Sequence, residues 1–364
     1  MRTVAHCFAI LLLAGLTSCT TQHSQAPIER VKISLDGRGF VLHPSGRAFV
    51  PWGFNYDHDE TGRLIEDYWE TEWPKVEEDF REMKQLGANV VRVHLQFGRF
   101  MVSESQPNTN ALARFAQLLR LAERTGLHLD VTGLGCYHQQ DVPAWYDALD
   151  EEHRWAAQAN FWRAVARAGR GSPAIFCYDL MNEPVAPHST GVGKDWLGPP
   201  LAGKHFVQWI SREGRGRERP AIARAWVRQL AAAIRAEDPS HLVTVGLVDW
   251  SLPRPGLDSA FHPQVIAPEL DFLSVHLYPE KGKVDVAIDT LKVFNMGKPV
   301  VIEEIFPLKC SAAEFDEFFH RSKVHAAGWI GFYWGRTPEE CRRSKEITDA
   351  FMLGWLEWFQ KTKP

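Results

Sequence analysis

Two glutamate positions carry the most pointed chemistry in this sequence. Glu183 sits in Asn182-Glu183-Pro184, directly after the apolar run Ile175–Met181. Glu303-Glu304 directly follows a second apolar run, Pro299–Ile302. Alone, each reads as a polar turn or a solvated loop. Together, at the ends of two buried strands, they suit cleavage of a glycosidic bond: one carboxyl protonates the leaving oxygen while the other attacks the anomeric carbon or activates water. Arg92 lies inside Val90-Val-Arg-Val-His94, and a buried guanidinium needs a carboxylate partner. His276-Leu-Tyr278-Pro279 offers a phenol to hydrogen-bond a carboxylate and an imidazole to hold a sugar hydroxyl. Phe332-Tyr333-Trp334 offers an indole on which a sugar ring can stack, with plain core packing as the other reading of Trp334.

These residues need a scaffold that brings distant strand ends together. Short apolar, β-branched runs recur at Phe49–Asn55, Asn89–Leu95, Leu127–Gly133, Ala174–Met181, His241–Leu247, Asp271–Leu277, Pro299–Glu303 and Trp329–Trp334. Each gap holds a helix, and amphipathic triplets such as Val76/Phe80/Met83 and Leu112/Phe115/Leu119 mark them. Gly87, Gly126, Gly297 and Gly328 stand between helix and next strand, where a left-handed C′ residue ends a helix. Ser311-Ala-Ala-Glu314 reads as a capping box and Pro220 as a first-turn proline. Eight βα units make an α/β fold, a (β/α)₈ TIM barrel. A doubly wound sheet is the competitor, but no GxGxxG follows the first strand. Strand alternation points only one of Glu303 and Glu304 into such a barrel.

Two regions exceed a minimal barrel. Residues 28–48, with Asp36-Gly37 and Ser45-Gly46 turns, read as a hairpin closing the barrel's bottom. Residues 186–219 form a Gly/Pro/Arg-rich insert after the fourth strand, a candidate wall for the active face. Its Arg212, Arg215, Arg217 and Arg219 suit either an anion site or, more simply, a solvated face mixed with Glu213 and Glu218. Trp145, Tyr146, Trp196, Trp209 and Trp250 are candidates for further sugar contacts or for packing.

The chain has 364 residues, 45% hydrophobic, with 41 basic against 45 acidic side chains and a formal net charge of −4. That balance excludes a disordered chain and gives no basic surplus for nucleic acid. Met1-Arg2 and the apolar run Phe8–Leu16 describe a secretory signal, too short to span a bilayer. Leu16-Thr-Ser-Cys19 resembles the lipobox of bacterial lipoproteins. The expectation is a signal peptide over 1–18, a lipid on Cys19, a tether over 19–27 and a catalytic domain over 28–364, with export to the cell envelope and membrane contact only through that lipid. Cys310 and Cys341 follow the last two strands and a bridge between them is open. No His/Cys ligand spacing appears, so neither a metal nor a cofactor is expected.

The arginine of Val-Val-Arg-Val, Asn182-Glu183-Pro184, His276-Leu-Tyr278-Pro279, Lys298-Pro-Val-Val-Ile-Glu-Glu304 and the Trp334 strand resemble the signature of glycoside hydrolase family 5, which contains cellulases and mannanases. The resemblance implies a retaining β-glycosidase acting by double displacement on an oligo- or polysaccharide of β-mannan or β-glucan type. It makes Glu183 the acid/base, with a raised pKa, and Glu304 the nucleophile; Arg92, Asn182, His276, Tyr278 and Trp334 would line the sugar subsite next to the cleaved bond. Two features depart from the pattern. Thr132 stands where a third-strand histidine is usual, with His138 a possible substitute, and Ile305-Phe306-Pro307 follows the nucleophile. A non-catalytic glycan-binding barrel and a transglycosylase using the same glutamates remain alternatives, and neither the sugar nor endo or exo action is fixed at this level.

Overall fold

The computed structural model describes residues 27–187 and 195–364. Eight parallel strands close into one barrel: β1 (Trp52–Tyr56), β2 (Val90–Gln96), β3 (His128–Gly135), β4 (Ile175–Asn182), β5 (Leu242–Val248), β6 (Leu273–His276), β7 (Val300–Ile305) and β8 (Gly328–Gly331). β8 pairs with β1 and β4 with β5, so the sheet has no edge, and the doubly wound alternative is excluded. Every residue of these strands is buried, as expected when helices cover the outside and side chains fill the inside.

Outside lie α1 (Trp73–Gln85), α2 (Thr109–Thr125), α3 (Glu151–Gly169), α4 (Arg219–Glu237), α5 (Val284–Phe294), α6 (Ala312–Ser322) and α7 (Ile347–Lys361). The β5–β6 connection contributes only the single turn Pro263–Ile266 in that layer. Local sequence explains the helix ends. Asn108 caps α2 by accepting from the Asn110 and Ala111 amides, and α2 stops at Gly126 in the left-handed region. Ser311 and Glu314 form the capping box of α6, and Pro220 lies in the first turn of α4. Gly328 is not a helix cap: it opens β8, where a Cβ would strike the Pro51 ring at 2.7 Å. The last helix docks through aromatics, with Phe359 stacked on Trp52 at 4.3 Å, a geometry worth about 0.5–1.5 kcal/mol beyond burial.

The N-terminal segment is a three-stranded antiparallel sheet, Arg30–Ile33, Phe40–His43 and Ala48–Phe49. Phe40 meets Phe176 and Phe272 edge-on, plugging the barrel's N-terminal end with a second apolar cluster. The proposed leader, Cys19 and most of the tether lie outside the described residues. Cys310 and Cys341 are free thiols, not a bridge.

The insert arginines do not converge. Arg217 pairs with Glu151 at 2.6 Å, Arg219 with Asp258 at 2.9 Å and Arg215 with Glu213 at 3.5 Å, while Arg212 lies over the Trp196 ring. They staple the β4 loop to its surroundings and build no common anion site.

Candidate active site

β2 places Arg92 across the barrel's centre, fully buried. One guanidinium nitrogen donates to Asn55 Oδ1 (2.9 Å) and Glu304 Oε1 (2.8 Å). The other donates to Asp179 Oδ2 (2.8 Å) and Asn182 Oδ1 (3.1 Å) and lies 3.6 Å from Glu303. Five side chains from β1, β4 and β7 are thereby indexed to one planar fork, the arrangement to which arginine is suited. Space for it comes from β5. A Cβ on Gly246 would meet the Arg92 guanidinium at 2.9 Å, and Glu303 and His276 at 3.1 Å, while the Gly246 amide donates to Asp179 at 2.7 Å.

Glu183 follows β4 with φ of 49°, a left-handed conformation that costs a non-glycine residue about 1–3 kcal/mol. Its amide donates to the Gly246 carbonyl at 3.0 Å, which ties the turn to β5. The side chain is 19% exposed and accepts from His276 Nδ1 at 2.9 Å. Glu304, 9% exposed in its side chain, accepts from Tyr278 at 2.7 Å and lies 3.5 Å from the same imidazole nitrogen. Glu183, His276 and Glu304 present atoms that all fall within 4.8 Å of one another. Asn182 donates through its amide to the Phe206 carbonyl at 3.1 Å.

Strand alternation does not separate the adjacent glutamates. Register shifts in the β7 pairings, at Val275/His276 on one side and Ile302/Ile305 on the other, act as bulges that turn both side chains inward. Glu303 goes down to Asp130 and Asp179, whose oxygens lie within 4.8 Å of its own. Glu304 goes up to the mouth. This corrects the expectation that one of them faces away from the barrel.

The charges sort by depth. Burial raises Glu303, but Arg92 and His276 outweigh it and hold the carboxyl down to about 2. Burial, with Glu303 close by, carries Asp179 up to about 6, and the same causes hold Asp130 protonated well above the ordinary range. Burial lifts Glu304, opposed by His276 and Arg92. Burial opposes a charge on His276, yet Glu304, Glu183 and Glu303 together raise it to about 10. The His276 Nδ1 thus lies between the two mouth glutamates, 2.9 Å from Glu183 and 3.5 Å from Glu304.

A cavity of about 450 Å³ opens above this cluster, lined by Asn182, Glu183, Tyr278 and Glu304 at its base. Phe332, Tyr333 and Phe306 form one wall; Phe206, Val207 and Pro199 of the β4 loop form the other. Trp334 is displaced from the role its type suggests. β8 ends at Gly331, so Trp334 falls in the following loop, turns behind the barrel and donates its indole N–H to Asp79 at 3.0 Å. It is 2% exposed, packs edge-on to Phe54 and is not part of the cavity lining. Phe332 takes the cavity position. Trp145, Tyr146, Trp196, Trp209 and Trp250 also stay out of the lining: Tyr146 is stacked on Phe97, and Trp196 is covered by Arg154 and Arg212. Thr132 donates to Asp179 at 2.7 Å, and His138 does not reach the cavity.

Sequence reasoning missed Asn55, His94 and Asp179. Asn55 accepts from Arg92 and donates to the Glu303 carbonyl, and His94 bridges Asn55 and Tyr137. Their signal was present as polar residues near the C-terminal ends of otherwise apolar strands.

A parallel eightfold barrel with two opposed glutamates and an arginine–histidine–tyrosine support in one mouth has the constitution of a barrel glycosidase. The model of glycosyl hydrolase family 5 (cellulase) matches residues 53–335, and the chain belongs to that family. Among named relatives, mannan endo-1,4-β-mannosidase F of Aspergillus clavatus is 24% identical over 289 residues, 71% of this chain and 57% of that one. This chain thus spans less than two thirds of the fungal enzyme's length. In fold it is similar to an exo-β-1,4-mannosidase of Opitutaceae bacterium strain TAV5 (TM-score 0.67, 16% identity, covering 91% of this chain and 62% of that one). It is similar also to the β-mannanase of the blue mussel Mytilus edulis (TM-score 0.60, 17% identity, 92% and 96%).

Proposed function

We propose that the protein hydrolyses β-linked mannosides or related β-glucans with retention, by double displacement. The observation that carries this reading is the spacing of Glu183 and Glu304, with oxygens within 4.8 Å of each other. Retaining pairs stand about 5–5.5 Å apart, whereas inverting pairs need about 6.5–9.5 Å to admit a water. Glu304, gripped by Arg92 and Tyr278, attacks the anomeric carbon. As the C1–Oε bond forms, the C1–O bond to the leaving sugar breaks, and Glu183 gives that oxygen its proton. Glu183 then takes a proton from water, whose oxygen bonds to C1 and releases Glu304 as carboxylate. Asn182 holds the ring's 2-hydroxyl, His276 shuttles no proton but fixes both glutamates, and Phe332 offers the stacking face. Mannoside preference rests on the relatives named above, which are enzymes of mannan and mannosides.

Proton NMR of the first product tests this: the initially released anomer is β, mutarotating later, and an initial α product contradicts retention. Glu183→Gln and Glu304→Gln that bind glycan without cutting it support the enzyme; a wild-type protein that binds and never cuts contradicts it.

We also propose export and lipid attachment at Cys19, supported by the Leu16–Cys19 motif. Metabolic labelling with palmitate that survives in Cys19→Ala contradicts it.

A further inference from the structure

The β4 loop does more than border the cavity. Between Trp196 and Trp209 it folds back on itself, with the Gly198 amide donating to the Val207 carbonyl at 2.8 Å. It is fastened to the β3 loop by the His205 amide on the Tyr137 carbonyl (2.9 Å) and the Gln208 side chain on the Leu134 carbonyl (3.0 Å). Its tip then reaches the loop after β1, where a methyl group at Gly62 would come within 3.2 Å of the Lys204 ammonium. β2 and β3 lie between β4 and β1, so this strap covers that side of the mouth. Accordingly, none of the described residues lining the cavity belongs to the loops after β2 or β3.

One charged group at the covered side lacks a carboxylate partner. Lys204 lines the cavity, is 6% exposed and has no carboxylate within ion-pair distance among the described residues. A sugar is its chemical complement, since a hydroxyl oxygen accepts from an ammonium.

The two glutamates orient the ligand. Glu304 is the deeper, at 9% side-chain exposure against 19% for Glu183. The attacked ring therefore sits at the bottom, and the bond that Glu183 protonates points toward solvent, past the exposed Leu308 of the β7 loop. A chain continuing past the attacked ring would run into the strap.

Resting on the glycosidase reading above, we infer that this chain acts in exo fashion, removing one sugar at a time from non-reducing ends, with Lys204 holding a hydroxyl of the terminal sugar at the closed end. Full-length enzyme incubated with β-1,4-mannohexaose and cellohexaose, each tagged at the reducing end, tests it. The expected result is free monosaccharide and tagged chains shortening one unit at a time. Short tagged fragments at the first turnovers, without monosaccharide, overturn the exo inference while leaving the glycosidase reading intact; no cleavage of either substrate or of aryl glycosides overturns both. In Lys204→Met, product inhibition by the free monosaccharide weakens at least about tenfold, the worth of one charged hydrogen bond, with the melting temperature kept or raised. Unchanged inhibition in this variant overturns the placement of the terminal sugar.

Discussion

Glu303 and Glu304 are chain neighbours on one strand, yet the barrel treats them as different acids. Glu303 is fully buried, faces Asp130 and Asp179, and is kept charged by Arg92 and His276 without a close hydrogen bond to either oxygen. Glu304 is one residue higher, accepts from Arg92 and Tyr278, and opens on the cavity. The lower carboxylate is a fixed charge in a structural lattice; the upper one, on the same guanidinium, opens on the cavity as the proposed nucleophile. Barrel depth separates function from support here, and a bulge in β7, which turns both side chains inward, creates the difference.

The sharpest way to break this comparison is to neutralise each glutamate in turn. Glu304→Gln is expected to lower kcat/KM by at least about 10⁴-fold on an oligosaccharide while the protein still melts cooperatively. Glu303→Gln should instead act on the fold, so that calorimetry shows the larger change in stability and the residual activity per folded molecule is far higher. Equal activity losses with equal stability would erase the distinction. Arg92→Met strikes both levels at once. Stranding Asp179 and Glu303 without their cation should cost about 3–5 kcal/mol by denaturant titration, with activity lost as well. Gly246→Ala tests the space behind that arginine. With 2.9–3.1 Å to three side chains, about 1–3 kcal/mol of overpacking is expected, together with a fall in kcat, whereas an unchanged enzyme would mean the cluster relaxes freely.

Smaller effects sharpen the same contrast among aromatics. Trp334→Phe should lose about 1–3 kcal/mol, because Asp79 Oδ1 loses its indole donor while Oδ2 keeps Tyr56, and leave KM alone. Phe332→Ala should raise KM about threefold to tenfold with little loss of stability. The reverse pattern would return the stacking role to Trp334. The smallest expected effect is on acidification. Glu303, held near 2, contributes stability that is full above its unfolded pKa and is lost progressively as pH falls from there toward 2, while Asp179, raised to about 6, is relieved of its buried charge as pH falls through that value. Glu304 is raised by burial, so it loses its charge at a higher pH than an exposed glutamate. Activity should therefore fall before structure does, seen as an acid limb in kcat/KM while circular dichroism stays native.

The barrel was legible because eight apolar runs with intervening amphipathic helices admit few closures, and strand bounds shifted by only a residue or two except at the start of β1, where Phe49 belongs to the N-terminal sheet, and at the end of β8. Glu183 and Glu304 were legible as strand-end acids. What escaped depends on register. A bulge cannot be read from Ile302-Glu303-Glu304, so both glutamates turned inward against simple alternation. Ending β8 at Gly331 rather than at Trp334 moved the indole behind the barrel and Phe332 into the cavity. Lys204 escaped because its interest lies in lining the cavity without a carboxylate partner, which depends on the fold of the β4 loop.

Peptide mass spectrometry after inactivation with a 2-deoxy-2-fluoro-β-mannosyl or β-glucosyl fluoride tests the central claim most directly. The account predicts a single glycosyl ester on Glu304, absent in Glu304→Gln. An ester on Glu303 or Glu183, or turnover of the reagent with no ester at any carboxylate, would contradict it.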